Sequence, residues 1–139
     1  MFFPKLENFQ QIVNRFPESK YARDSEQKII SIKENIAAKH MSIGLFYLKK
    51  KKYFAALNRY KKVINEYSQS KFTPEALHRL VEIYYTLGMI EDAKKTAATL
   101  GYNYPNSELY KYSFNILSEK KDKQSLILKI FKPFSKKNE

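Results

Sequence analysis

Along most of this chain apolar residues return every three or four positions, the spacing of one face of an α-helix. In 52–67, KYFAALNRYKKVINEY, the stripe is Tyr53, Ala56, Leu57, Tyr60, Val63, Ile64 and Tyr67. In 74–87, PEALHRLVEIYYTL, it is Leu77, Leu80, Val81, Tyr84 and Leu87. Segment 90–103 carries Ile90, Ala93, Ala97 and Leu100, and segment 4–16 carries Leu6, Phe9, Ile12, Val13 and Phe16. Boundary residues agree: Thr73 is placed to cap a helix, Pro74 suits a first helical position, and Gly88 suits a stop. Between 20 and 50, Ile29, Ile32, Ile36, Ile43 and Tyr47 keep the helical period, with no Pro and no Gly before Gly44. One long helix of about 45 Å is expected there, with Gly44 the place for any kink.

The connections repeat as well. NRFPESKYA at 14–22 returns as NEYSQSKFT at 65–73 and as YNYPNSELY at 102–110. An aromatic (Phe16, Tyr67, Tyr104) precedes Pro or Ser. A Ser follows two residues on (Ser19, Ser70, Ser107), then an apolar residue (Tyr21, Phe72, Leu109). The aromatic closes one helical stripe, the Pro or Ser stops the helix, and the next Ser is placed to cap the following one.

Composition narrows the class. With 139 residues, one domain is expected, and 43% hydrophobic and 15% aromatic content argue for a folded chain. Three Gly and five Pro are too few turn signals for a sandwich or barrel, so the chain reads as all-α. There is no Cys, which excludes disulfides, thiolate metal sites and a Cys nucleophile. Two histidines, His40 and His78, make a His-based metal site a poor expectation. No Gly-rich phosphate loop, HExxH or GxSxG is present, and no cofactor or enzymatic activity is expected.

The formal net charge is +12, mostly from Lys. Two readings stand: an anionic partner, or the Lys-, Ile- and Asn-rich usage of an AT-rich genome. Lys49, Lys50, Lys51 and Lys52 form a run at a helix-to-helix turn. They read either as a solvated, charge-favoured helix end or as contacts for an anionic surface. A nucleic-acid partner is not expected, because the Tyr and Phe residues fall on packing stripes rather than among arginines on one face. The N-terminus lacks the charged and apolar regions of a signal peptide, and no stretch approaches the roughly 18 apolar residues of a membrane span. In the tail, Leu126, Ile127, Ile130 and Phe131 form a short apolar face among lysines. It reads as a capping helix over 112–132 with a flexible basic tail at 133–139, the other reading being a membrane-surface segment.

These stripes and connections resemble the tetratricopeptide repeat, a helix pair of about 34 residues. With Gly44 at the eighth position of the repeat, Tyr47, Ala56, Tyr60 and Ser68 fall into the pattern. One repeat later Tyr84, Ala93, Ala97 and Pro105 do so, with Val81 in place of the Gly. The resemblance implies a solenoid of antiparallel helix pairs over 1–111, made of an incomplete first repeat (1–17), a repeat containing the long helix (18–68) and a last repeat (71–105). Phe9 and Pro17 then belong to a repeat whose first helix is missing. A C-terminal fragment, a split product or a partner covering that face is the expectation.

A more specific resemblance rests on Phe9, Ile12, Val13, Arg15, Phe16, Pro17, Ser19, Tyr21, Ala22 and Asp24. It continues through Phe46-Tyr47, Tyr53, Ala55-Ala56-Leu57-Asn58-Arg59 and Asn103-Tyr104-Pro105. Over roughly 1–107 the chain is similar to the C-terminal repeats of the BamD family of outer-membrane assembly lipoproteins. The resemblance implies a non-catalytic scaffold on the periplasmic side of the outer membrane, close to its inner leaflet. Its implied partners are the POTRA domains of a BamA-like barrel insertase and other assembly lipoproteins. The lipid-bearing Cys of that family has no counterpart in this sequence. Arg59 maps to an arginine that pairs with an acidic residue of the insertase, and Arg is the better residue for a bidentate carboxylate contact. Asn58, Arg15 and Tyr60 are the further partner-binding candidates. Two other readings stay open: another periplasmic repeat adaptor of envelope or division complexes, and a basic module that binds anionic membrane.

Overall fold

The computed structural model describes residues 3–119, and among these there are six helices and no strand. They are α1 (Phe3–Arg15), α2 (Lys20–Lys49), α3 (Tyr53–Glu66), α4 (Thr73–Thr86), α5 (Ile90–Asn103) and α6 (108–119). Their packing is that of a tetratricopeptide-like helical repeat. Two compact units divide the chain, one through Thr73 and one from Pro74. The sixth helix starts at 108. The rest of the expected capping helix, 120–132, and the basic tail, 133–139, lie outside the described residues.

In the first unit α2 packs against both α1 and α3. It is one continuous helix of 30 residues. Its buried positions, Ala22, Ser25, Ile29, Ala37, Met41 and Gly44, are mostly small, which lets neighbouring helices approach closely. Gly44 does not interrupt the helix. A methyl group there would stand 2.8 Å from Cζ of Tyr60, so the missing side chain makes room for that ring. From α3, Ala56, Leu57, Tyr60 and Val63 complete the core. In α1, which has α2 as its neighbour, Leu6, Phe9, Ile12 and Val13 are half-buried. Phe16, expected to close that stripe, is 59% exposed.

In the second unit α4 is buried around much of its circumference, with Ala76, Leu77, His78, Leu80, Val81, Ile83 and Tyr84 all inside. From α5, Ala93, Ala97 and Leu100 join them. Gly101 leaves space for the Tyr110 ring of α6, whose Cζ would lie 2.7 Å from an added methyl.

The three repeated phrases build the same hydrogen-bonded turn. Phe16, Tyr67 and Tyr104 each donate their N–H four residues back, at 3.0, 2.9 and 2.8 Å. Their carbonyls accept from Ser19, Ser70 and Ser107 at 3.1, 2.9 and 3.0 Å. The serine hydroxyls accept N–H groups of the next segment: Ala22 at 3.0 Å, Phe72 at 3.1 Å and Leu109 at 3.2 Å. Thr73 does not cap the helix that it begins. Its hydroxyl donates instead to the carbonyls of Tyr67 and Ser68 at the end of α3, while Ser70 accepts from Phe72 N–H in the turn before it.

The turns inside the helix pairs repeat too. After α4, Met89 N–H bonds Tyr84 O and Gly88 N–H bonds Tyr85 O, with Gly88 at φ 76°. After α2, Lys52 N–H bonds Tyr47 O and Lys51 N–H bonds Leu48 O, with Lys51 at φ 59°. Both are Schellman endings, with the left-handed residue just past the helix cap. One is made with Gly and the other with Lys.

Candidate functional site

His40 and Arg59 lie 19 residues apart, on α2 and α3, and meet where these helices cross. The Arg59 guanidinium donates to His40 Nδ1 at 3.3 Å. That bond needs Nδ1 as the acceptor, so the ring is neutral with its proton on Nε2. Burial lowers the His40 pKa below its ordinary 6.5. The Arg59 and Lys62 charges push it the same way, with Glu66 opposing and Lys39 adding to the fall. The Tyr67 ring lies 6.0 Å from the imidazole, and burial followed by the Glu66 charge raises its hydroxyl above the ordinary 10.0, keeping it protonated.

Around this pair is an open groove of about 270 Å³. Ile36 and Ile43 give it an apolar floor, and Lys39, Arg59, Lys62 and Glu66 give it a mainly cationic rim. The sequence builds the site simply. Ile36, His40 and Ile43 recur at helical spacing on α2, and Arg59, Lys62 and Glu66 do so on α3. Among the described residues no carboxylate lies within ion-pair distance of Arg59, whereas Lys62 reaches Glu66 at 3.9 Å. The field extends beyond the groove: between Glu34 and Glu66 the chain holds eight Lys and Arg and no Asp or Glu. Such a surface suits a partner that brings carboxylates over an apolar contact.

Arg59 therefore lies at the groove, half-buried. Asn58 is exposed beside it and does not line the groove. Arg15 is exposed at the end of α1, away from this lining. Tyr60 must be corrected as a contact residue. It is 1% exposed and seated on Gly44, so its ring belongs to the α2–α3 core. Lys49 to Lys52 are all exposed at the α2–α3 turn. Sequence reasoning missed His40, Lys39 and Lys62, although their helical spacing with Ile36, Ile43 and Arg59 was there to be read.

A Ser–His–Glu contact occurs in the second unit. His78 Nδ1 lies 2.8 Å from Ser113 Oγ, and His78 Nε2 lies 3.3 Å from Glu82. Arg79 donates to the same carboxylate at 3.0 Å. Ser113 is 0% exposed, so its hydroxyl does not meet a substrate. The set is a buried polar tie between α4 and α6. Burial would raise the Glu82 pKa, but hydrogen bonds from His78 and Arg79 outweigh it and hold the group below its ordinary 4.5. Among the described residues no cluster of His, Asp and Glu is placed to hold a metal ion, and no helix is long and apolar enough to cross a membrane.

Known proteins resemble this chain over the same helices. Over 115 residues it is 45% identical to the outer membrane protein assembly factor BamD of Rickettsia prowazekii, covering 83% of this chain and 46% of that protein. The BamD of Caulobacter vibrioides is 40% identical over 114 residues, 82% of this chain and 37% of its own length. That of Neisseria gonorrhoeae is 34% identical over 99 residues, 71% of this chain and again 37% of its own. The chain thus spans less than half the length of these relatives. The model of the YfiO family, described as outer membrane lipoprotein, matches residues 4–100, from α1 to near the end of α5. With the family model covering α1 to α4, most of α5 and two of the three repeat turns, this chain belongs to the YfiO outer membrane lipoprotein family.

Proposed function

We propose that this chain is a non-catalytic docking scaffold in the assembly of outer-membrane β-barrel proteins, acting on the periplasmic side of that membrane. Its relatives are named as assembly factors for outer membrane proteins, and the part they share with this chain includes the α2–α3 groove. The observation that carries the reading is Arg59 itself: a half-buried guanidinium over an apolar floor, hydrogen-bonded to a neutral ring rather than to a carboxylate. An Arg–carboxylate pair joins opposite charges and can be made by two parallel N–H···O bonds, neither of which a single neutral imidazole nitrogen offers. A partner's Asp or Glu would therefore replace the His40 contact with a stronger one. The partner we assign is the POTRA region of the barrel insertase, with accessory lipoproteins on other faces. Asn58 contributes from the exposed surface beside Arg59, outside the groove, and Arg15 at a separate contact.

A pull-down of the full chain against the POTRA region at about 0.15 M salt, where charges beyond about 8 Å are screened, tests this. Wild type is expected to be retained, Arg59→Glu lost, and Arg59→Lys weakened because Lys lacks the planar two-point donor. Retention of Arg59→Glu at the wild-type level would remove Arg59 from the interface. Failure of a well-folded wild type to bind would sink the POTRA assignment.

A further inference from the structure

We propose that the α2–α3 turn is a contact for an anionic phospholipid surface, with Lys49 to Lys52 supplying charge and Phe46 and Phe54 supplying apolar groups that enter the headgroup layer. This goes beyond the docking role and does not depend on Arg59.

The two Schellman turns share a backbone and differ in charge. Lys49, Lys50, Lys51 and Lys52 correspond, one repeat later, to Thr86, Leu87, Gly88 and Met89. The second turn closes with the same hydrogen bonds and no charge at all, so the turn itself needs none of the lysines. Lys51 is moreover in the left-handed region at φ 59°, where its counterpart is Gly88 at φ 76°. A side chain there is disfavoured relative to Gly. Compositional drift toward Lys would supply Asn as readily, and Asn tolerates this conformation better. The α2 dipole accounts for Lys49 and Lys50, which lie at its negative end. It does not account for Lys52, which is the N-cap of α3 and makes no side-chain capping bond. There a cation faces the positive end of a helix. Lys51 and Lys52 are thus held against local preference, an outlier of the kind that marks functional surfaces.

The aromatics give the surface its type. Phe46 is 53% exposed and Phe54 is 67% exposed, one on each side of the turn. Lys50 Nζ sits 4.7 Å from the Phe46 ring centroid, so charge and ring share one patch. Lysines that reach headgroups while aromatic bodies enter the interface are the pattern of peripheral membrane contacts. A helical hairpin end presents adjacent lysines to a plane of mobile anionic headgroups without needing a complementary pocket.

The test is co-sedimentation of the full chain with phosphatidylcholine vesicles, with and without phosphatidylglycerol. Wild type is expected to sediment only with the anionic vesicles. Changing all four lysines to Gln should lower partitioning by about tenfold or more at physiological salt, since each lysine near such a surface contributes a several-fold factor. F46S/F54S should lower it several-fold. K51G separates function from folding: its melting temperature should rise while its vesicle binding falls. The proposal is overturned if folded wild type does not sediment, or if the lysine variant or the Phe variant binds as wild type does. It is equally overturned if the lysine variant loses POTRA capture but keeps vesicle binding, which would make the patch a protein contact.

Discussion

At the scale of single residues, the close approach of Tyr60 to Gly44 is the sharpest constraint in the first unit. Replacing a helical Gly by Ala ordinarily gains about 0.5–1 kcal/mol. Here the new methyl would meet a ring that is 1% exposed and has nowhere to move. Overpacking a core costs about 1–3 kcal/mol, so Gly44→Ala is expected to lower stability. A denaturant titration should show the midpoint falling with an unchanged slope. Combined with Tyr60→Ala, the loss should be smaller than the sum of the two singles, because the clash has gone. An additive cycle would show that Gly44 and Tyr60 do not constrain one another. In the second unit Ser113→Val should cost about 1–3 kcal/mol, by leaving the buried His78 nitrogen without its partner. A thermal melt unchanged from wild type would mean that α6 does not depend on this tie. The repeat step relates these sites: Gly44 and Tyr60 correspond to Val81 and Ala97, so small-with-large in one pair becomes medium-with-small in the next. Periodicity announces a stripe in both cases. It does not announce which member of the stripe is the large one.

At the scale of elements, the long helix is held by its ends and by the turns that lean on it. Ser19 caps α2 by accepting from Ala22, so Ser19→Ala should cost about 1 kcal/mol. Glu34, midway along α2, accepts from the Ser70 hydroxyl at 3.0 Å and from Lys71 N–H at 3.1 Å. Glu34→Ala should free the 68–72 turn, and hydrogen exchange at Lys71 should quicken while α2 itself stays protected. Equal protection in both proteins would refute the latch. The α2–α3 crossing also has a pH signature. The His40 pKa is lowered in the folded chain, so the unfolded chain binds more protons around neutrality. The stability contributed by the neutral ring is full above the ordinary value of 6.5 and declines as pH falls through the lower folded value. Protonation would also set a second cation against Arg59. Melting temperatures measured from about pH 7.5 down to about pH 5 should fall more steeply for wild type than for His40→Gln. Parallel curves would place the titrating group elsewhere.

At the scale of the whole molecule, the charge is not evenly spread. Of a formal net charge of +12, the segment between Glu34 and Glu66 supplies eight cations with no acid among them. Such a field mainly steers encounter rather than holding the complex. Raising salt from about 0.15 M to about 0.5 M shortens the screening length from about 8 Å to roughly 4 Å. The on-rate for the proposed POTRA partner should then drop by about tenfold or more, while the off-rate changes much less. A salt effect confined to the off-rate would instead point to the half-buried Arg59 as the main electrostatic contact.

The sequence by itself determined the all-helical class, the long α2, the repeat step, the serine-capped turns and the family. These depend on neighbours within a few residues, since i to i+4 backbone bonds and capping side chains act locally. Even the lysine run stood out as a feature, though not its left-handed backbone. Tertiary structure alone decided that Tyr60 is core, that Arg59 rests on His40, that Glu34 holds the Ser70 turn, and that His78 finds Ser113 on α6. Each of these joins residues on different segments. Their meeting depends on how far one helix is rotated and shifted along another. That offset is fixed jointly by many packed side chains, and no single stretch of sequence carries it.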